Sequence, residues 1–371
     1  NDILLQEAIA KIEHAISLPN QPGRSEHPAH LYTTLGTIYF EVYKRRAANT
    51  NSLVITESDW EKTLDCFKKA LKLIPDSYPT LAAYSNRLID RAAMIKAEHR
   101  DEAINMALEA LSHLSQAEDV ASEPGELSDD EQYFLVSQKK KAWDIIDPAK
   151  AQEIVDNLIL QKSENGFLIK TWREIEGVRF NDFLKDLQVA KVSSGIKILQ
   201  EAVAQVKPPV SWRVYHLLYK LFSIHPKYRY DFAQRLKLLD ALEKTDFKWY
   251  LRMRFEHATL CFQNNRYEEG QRRFRDLRSL IRQPDQPQKR FADYLRSPHG
   301  VDDPRITTLR VLRIDSEWRG YCFIQELNQE IPFRPRQFDN PPKVGEYRRC
   351  IIRFETMGPL AVPDSFPVHA G

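Results

Sequence analysis

The spacing of apolar residues changes once along the chain. Up to about residue 282, apolar side chains recur every three or four positions between stretches rich in proline and acidic residues, and this spacing predicts helices. From residue 306 onwards, short runs alternate apolar and polar residues between turns that contain glycine or proline, and this alternation predicts strands. The fold class that we expect is a mainly α helical-repeat array followed by a small all-β barrel of five antiparallel strands.

The predicted helices come in pairs with a recurring set of small and aromatic residues. In the clearest pair, the first helix has the spacing W-x₂-L-G-x₂-Y, with tyrosine in place of tryptophan, and the second ends at a proline. This pair carries Tyr32, Leu35, Gly36, Tyr39, Thr63, Phe67, Ala70 and Pro75. Its spacing resembles the tetratricopeptide repeat (TPR) family, with residues 45–59 as an insertion. The resemblance implies a solenoid that interacts with other proteins.

Other helix pairs flank this one and set the expected domain boundaries. A later pair occupies residues 81–110, and a last hairpin has Gly270, Phe274 and Leu277 at repeat spacing on its second helix. The predicted organisation is divergent TPR repeats at 1–117, an acidic linker at 118–128, further hairpins at 129–282, a proline- and charge-rich linker at 283–305, and the all-β domain with a tail at 306–371.

One predicted strand, residues 318–324, has two aromatic rings on a single face. Tyr321 and Phe323 alternate with Cys322 and Ile324, so the rings share one face of the strand and the smaller apolar side chains share the other. The core of a barrel takes up one face of such a strand, so the two rings on the other face remain available for another contact. With Arg319 beside them, the rings suit stacked bases and phosphate. The glycine at position 320 allows close backbone approach or an unusual turn.

The order of strands around this segment resembles the cold-shock and S1-like OB-fold family. The other predicted strands are 309–314, 330–335, 343–354 and 358–362, with a glycine-led fourth strand and a Gly-Pro-x-Ala ending. In that family, aromatic residues of the second and third strands stack on single-stranded nucleic acid. Tyr321 and Phe323 match the ring positions of the family, and Arg319 matches its basic position.

The chain departs from the family pattern at three positions. Ile314 stands where the family has a stacking tryptophan, and Pro332 and Arg334 stand near the aromatic residue and the histidine of its third strand. A shift of one residue instead places Phe333 at that aromatic position. The candidate nucleic-acid-binding residues are Arg313, Trp318, Arg319, Tyr321, Phe323, Phe333, Arg334 and Arg336. The alternative is that the rings pack against the helical array and the arginines are ordinary surface residues.

Arginines are concentrated on the last predicted helix. They are Arg266, Arg272, Arg273, Arg275, Arg278 and Arg282. Two interpretations stay open: a solvated basic face, or a surface that follows a phosphate backbone.

The sequence contains none of the common catalytic or nucleotide-binding motifs. Phosphate-binding glycine loops, a dinucleotide fingerprint, a zinc-protease helix and a nucleophile elbow are all missing. The histidines form no tight cluster, and the four scattered cysteines have no histidine at metal-ligand spacing beside them. We therefore expect no enzyme activity, no cofactor and no metal, and we interpret the thiols as buried and reduced in the cytosol.

Charge and hydropathy exclude few functions. The formal net charge is only +2, and no apolar run has the length of a membrane span or the form of a signal peptide, so we expect a cytoplasmic protein. Because the chain begins without methionine, we interpret it as a piece of a longer protein.

Two functional hypotheses follow from these patterns. In the first, a TPR-like array supports an OB domain that contacts single-stranded RNA or DNA. In the second, the array is a protein-interaction scaffold that holds a partner or upstream domains of the same polypeptide, and the OB domain is a structural cap. Helical repeats with an OB-like end are also similar to the C-terminal region of STAND-type immune NTPases, and this likeness implies an antiviral sensor.

Overall fold

A computed structural model describes residues 2–18, 28–50, 57–121, 128–180, 184–281, 291–296 and 304–365. The chain divides into two compact units, unit 1 (Asn1–Ile169) and unit 2 (Lys170–Gly371). Within the described residues, 13 helices precede a closed barrel of five strands, so the predicted fold class is confirmed.

Thirteen helices lie in the described chain up to residue 281. They are α1 (Asp2–Ser17), α2 (Pro28–Thr50), α3 (Glu57–Leu73), α4 (Tyr78–Ile95), α5 (Arg100–Ala121), α6 (Asp129–Ile146), α7 (Pro148–Leu160), α8 (Glu164–Glu174), α9 (Asp186–Gln205), α10 (Trp212–Ile224), α11 (Phe232–Leu242), α12 (Leu251–Gln263) and α13 (Tyr267–Ile281). Part of the predicted insertion at 45–59 extends α2 to Thr50 and part opens α3, while residues 51–56 lie outside the described part of the chain.

Unit 1 is built around one aromatic cluster between helix pairs. Phe67 of α3 is fully buried and stacks on Tyr84 of α4, with 5.2 Å between the ring centroids. A Cβ added at Gly36 of α2 would lie 3.0 Å from the Phe67 ring, so the glycine lets α2 and α3 approach each other closely. Alanines at positions 103, 107 and 110 of α5 are also fully buried. The predicted repeat residues therefore form the interfaces between helices.

The predicted acidic linker at 118–128 lies partly within a helix. α5 continues to Ala121, within the predicted acidic linker, and residues 122–127 lie outside the described part of the chain. Ser128 then starts α6 with a capping box, in which its hydroxyl and backbone both bond to Glu131.

The strands of unit 2 close into an OB-like barrel. They are β1 (Ala292–Tyr294), β2 (Ile306–Ser316), β3 (Arg319–Ile324), β4 (Gln329–Phe333), β5 (Tyr347–Glu355) and β6 (Gly358–Pro363). The sheet order is β1-β5-β2-β3-β4-β6, and pairing of β5 with β6 closes the ring of β2 to β6. The barrel was predicted to be antiparallel throughout, but β4 and β6 pair in parallel at Phe333 and Ala361. The long crossover through β5 brings β6 beside β4 in the same direction.

β1 lies in a stretch that was predicted to be a linker. Its residues pair with β5 from Arg353 to Glu355, and Tyr294 and Leu295 are buried. β1 is only three residues long and is surrounded by proline and charged residues, so its local sequence gives no strand pattern.

The barrel core continues into the last helical hairpin. Phe354 of β5 lies 5.3 Å from the ring of Phe262 in α12 and 5.9 Å from the ring of Phe274 in α13. These residues belong to one buried cluster that also includes Cys322, Ile324 and other inward residues of the strands. The hairpin α12–α13 and the barrel therefore share one core.

Gly320 is required by packing inside the barrel. A Cβ at this position would lie 2.5 Å from Cε1 and 2.7 Å from Cζ of Phe333, which is 1% exposed. We expect Gly320→Ala to destabilise the protein by about 1 to 3 kcal/mol, since the buried ring has little room to move. Chemical denaturation measures the change, and the double variant Gly320→Ala with Phe333→Leu should lose less stability than the sum of the two single losses. Additive losses would show that the ring is not the obstacle.

Candidate nucleic-acid interface

The two rings of β3 lie on the outer face of the barrel. Cys322 and Ile324 are fully buried in the core, whereas Tyr321 and Phe323 are partly exposed. This alternation confirms the predicted orientation of the strand. Within unit 2, the helical hairpin that covers the barrel contacts its Phe354 side, so the rings of β3 stay partly accessible.

Two arginines surround the ring of Tyr321. The guanidinium carbon of Arg313 lies 4.2 Å from the ring centroid, and that of Arg319 lies 5.4 Å from it. Arg319 also donates hydrogen bonds to the tyrosine hydroxyl from Nε, at 3.1 Å, and from Nη2, at 2.5 Å. The β2–β3 register places Arg313 opposite Tyr321. A planar cation over a ring is a surface on which a base can stack, with phosphate nearby.

Carboxylates lie close to the same arginines. Asp315 Oδ1 is 3.8 Å from Arg313 Nε, Asp315 Oδ2 is 3.7 Å from Arg319 Nε, and Glu330 is 4.0 Å from Arg313. These exposed pairs are long and weak, so they hold the arginines only loosely. The guanidinium groups can therefore turn towards another anion at small cost.

The other predicted site residues divide into three cases. Trp318 is 54% exposed, and the Arg336 guanidinium lies 4.6 Å from its ring centroid, at the end of the β2–β3 hairpin. Arg334 donates to Glu355 at 3.1 Å, so its charge is partly compensated. The prediction for Phe333 as a stacking residue is wrong, because its ring is buried in the barrel core against the backbone of Gly320.

The structure adds two residues to this face that were not predicted. Arg310 of β2 is the cross-strand neighbour of both Phe323 and Tyr347, and its guanidinium lies 6.0 Å from the Tyr347 ring centroid. Tyr347 is 62% exposed. The outer face thus carries a row of ring, cation and ring across three strands. Tyr347 and Arg349 are exposed, and Cys350 next to them is buried. This alternation in the sequence could have predicted that Tyr347 faces outward.

The arginine-rich helix α13 is neutralised in part. Arg266 binds Asp240 at 2.6 Å, and Arg273 binds Glu243 at 2.7 Å and Glu269 at 2.6 Å. Arg266, just before α13, and Arg273, within it, thus link α13 to the end of α11. Arg272 and Arg275 are exposed, and Arg282 lies outside the described residues. The ion-paired arginines are therefore held by neighbouring carboxylates, and both interpretations stay open for the exposed Arg272 and Arg275.

A histidine and a cysteine on α12 lie within metal-ligand distance of each other. Ligand atoms of His257, Cys261 and Glu269 are all within 4.8 Å, and His257 also lies within that distance of Asp240 and Glu243. The expectation that no cysteine has a histidine at ligand spacing is wrong here, since the two side chains are one helical turn apart. The two glutamates are already bound to Arg273. Burial raises the pKa of Cys261 to about 11, so this thiol stays protonated at neutral pH.

The other thiols are also buried within the described chain. Burial raises the pKa of Cys350 to about 12, and that of Cys322 above its usual range. Thiols in this state are poor nucleophiles, so the barrel core cysteines have a packing role.

Three histidines of unit 2 have lowered pKa values: His225 and His257 are buried, and His216 is half-buried. Burial lowers the pKa of His216 from 6.5 to about 4 and also lowers the pKa of His225 and His257. Because unfolding lets these rings bind protons, we expect stability to fall as the pH decreases from about 6.5 to about 4. Urea unfolding at several pH values measures this.

The control variant for this experiment is His216→Phe, which keeps a ring beside Trp212 and Phe247. It should lose less stability than the wild type over the same pH range. Identical pH dependence in the two proteins would contradict the assignment to His216.

Comparison of the chain with models of known protein families, with curated proteins and with solved structures gives no significant match. Within the described residues, none of the helices combines the length and apolar character needed to span a bilayer. The fold and the outer face of the barrel therefore carry the functional interpretation.

Proposed function

We propose that this chain is a non-catalytic module that binds or senses nucleic acid, in which the OB-like barrel contacts single-stranded RNA or DNA. The observation that carries the proposal is the outer face of β2 and β3, where Tyr321 and Phe323 remain partly exposed and Arg313 and Arg319 surround one ring. Rings offer stacking to any base, and the arginines offer charge to the backbone. Tyr347 and Arg310 extend this surface onto β5.

The resemblance to TPR repeats and to the C-terminal region of STAND-type immune NTPases belongs to the same proposal. It is supported by the repeat spacing around Gly36 and Phe67 and by the order of helices followed by an OB-like barrel. On this basis we propose that the chain is the sensor part of a larger antiviral protein. The proposed ligand would then be the trigger that the sensor recognises.

Titration of a labelled single-stranded oligonucleotide at two salt concentrations tests the binding function. Arg319→Ala should weaken binding and flatten its salt dependence by about one phosphate contact, because the exposed guanidinium is expected to release one counterion equivalent. Arg100→Ala is the matched control, since Arg100 is an exposed arginine on α5 of unit 1, outside both candidate surfaces. Failure of the wild type to bind at low salt would reject the nucleic-acid function.

A second candidate function is a protein-interaction scaffold in which the barrel is a structural cap. The observation that favours it is the shared core of α12, α13 and the barrel, in which Phe262 and Phe274 contact Phe354. In this case, truncating the outer rings should leave nucleic-acid affinity unchanged. The helical surfaces would instead hold a protein partner or upstream domains of the same polypeptide.

A further inference from the structure

A small polar cavity lies in unit 2, away from the rings of β3. Its volume is about 180 Å³, and it lies between the α10–α11 connection, α11, α12 and the segment that follows β1. Three guanidinium groups line it, from Arg229, Arg235 and Arg296. Such a concentration of guanidinium groups around one cavity is typical of sites for oxyanions.

Two buried polar atoms at this cavity have no hydrogen-bond partner among the described residues. The first is the hydroxyl of Thr259, a residue that is only 3% exposed. The second is Nε of Arg235. Leaving a buried donor unsatisfied typically costs about 1 to 3 kcal/mol, so each atom favours a ligand that could accept its hydrogen bond.

The hydrogen bonds that Arg235 donates go to neutral acceptors. Its Nη1 donates to the carbonyl of Arg229 at 2.8 Å, and its Nη2 donates to the hydroxyl of Tyr219 at 3.0 Å. A half-buried cation in this setting is stabilised when an anion enters the cavity.

The two carboxylates that line the cavity are already engaged. Glu256 accepts from the hydroxyl of Tyr219 at 2.5 Å with one oxygen and from Arg252 at 2.6 Å with the other. Asp293 accepts from Arg296 at 3.2 Å and from the backbone of Tyr294. Each carboxylate is thus hydrogen-bonded to an arginine, and both also act on the charge of Arg235. The lining still holds three guanidinium groups against two carboxylates, so an anion is favoured there.

We propose that this cavity binds a small oxyanion of the phosphate class, held by Arg235 with the hydroxyl of Thr259 and assisted by Arg229 and Arg296. Phosphate oxygens accept from guanidinium forks in bidentate geometry and from hydroxyl groups at short distance. This site is separate from the proposed nucleic-acid face, so the two functions can fail independently.

Thr259→Val in the full chain is the sharpest test, because valine has nearly the same shape and lacks the hydroxyl. Without phosphate, the variant should be as stable as the wild type or slightly more stable, since an unsatisfied buried hydroxyl has been removed. Its affinity for inorganic phosphate, measured by calorimetry against chloride at equal ionic strength, should fall about tenfold. If the cavity holds only water bound to Thr259, the variant loses stability and the wild type binds no phosphate, which overturns the proposal.

Arg235→Gln should abolish phosphate binding, and Arg275→Gln, on the exposed face of α13, should leave it unchanged. Equal phosphate affinity in the wild type, Thr259→Val and Arg235→Gln would place the anion elsewhere and overturn the proposal. If Arg235→Gln fails to fold, Thr259→Val alone decides.

The source of the phosphate group is distinguished by comparing inorganic phosphate with a nucleoside 5′-monophosphate and with the free nucleoside. Tighter binding of the monophosphate than of phosphate, together with no binding of the nucleoside, identifies a nucleotide. Equal binding of the two phosphates identifies the free anion. In either case, Thr259→Val should weaken binding of the phosphate-containing ligand about tenfold, as it does for inorganic phosphate.

Discussion

Phe67→Ala is expected to destabilise unit 1 by about 3 to 5 kcal/mol, because it removes a fully buried ring from the interface between helix pairs. The ring contacts Tyr84 on one side, and the backbone of α2 approaches it at Gly36 on another. The cavity that alanine leaves cannot be filled by these neighbours without moving whole helices. Chemical denaturation gives the change in free energy of unfolding, and hydrogen exchange in α2, α3 and α4 localises it.

Leu73→Ala is the matched control for this prediction. Leu73 lies on the same helix α3 and is 48% exposed, so its truncation should change stability by no more than about 0.5 kcal/mol. A loss well under 1 kcal/mol for Phe67→Ala would contradict the register of the helix pair.

Tyr321→Ala and Phe323→Ala should each weaken binding of a single-stranded oligonucleotide by about 1 to 3 kcal/mol, and together they should reduce it to background. The reason is that each ring is a stacking platform on the outer face, while Cys322 and Ile324 keep the strand in the core. Oligonucleotide titration measures the affinity, and thermal unfolding verifies that the barrel stays folded.

Trp172→Ala is a suitable ring control, since Trp172 is 46% exposed but lies on α8. Its affinity for the oligonucleotide should equal that of the wild type. Ring variants that lose stability and keep their affinity would support the scaffold function instead.

The alternation of side chains along β3 predicted correctly which residues face outward, because the barrel core takes up the opposite face of this strand. In β3, the inward Cys322 and Ile324 require Tyr321 and Phe323 to point outward, and the structure agrees. In β4, the same rule places Phe333 inward with Ile331, but matching to the OB family suggested a shifted register. The local period was the better guide here, because the ring fills the space that Gly320 leaves.

Contacts between distant helices could not be predicted from local patterns. Arg273 pairs with Glu243, 30 residues earlier, and Arg266 pairs with Asp240, so a row of arginines on α13 is partly a set of structural ion pairs. The spacing of His257 and Cys261 was visible in the sequence, but the surrounding carboxylates and the competing Arg273 come from α11 and α13. The cavity at Arg235 and Thr259 is likewise formed only when these helices and β1 pack together.

The common core of the last hairpin and the barrel determines how this protein can be dissected. Cutting the chain before β2 would leave Phe354 without Phe262 and Phe274 and would expose a continuous apolar patch to water. Such a truncated barrel would be prone to aggregation, and failure to bind nucleic acid would then carry no information about the rings. A fragment for binding studies should therefore start ahead of Leu251, where α12 begins.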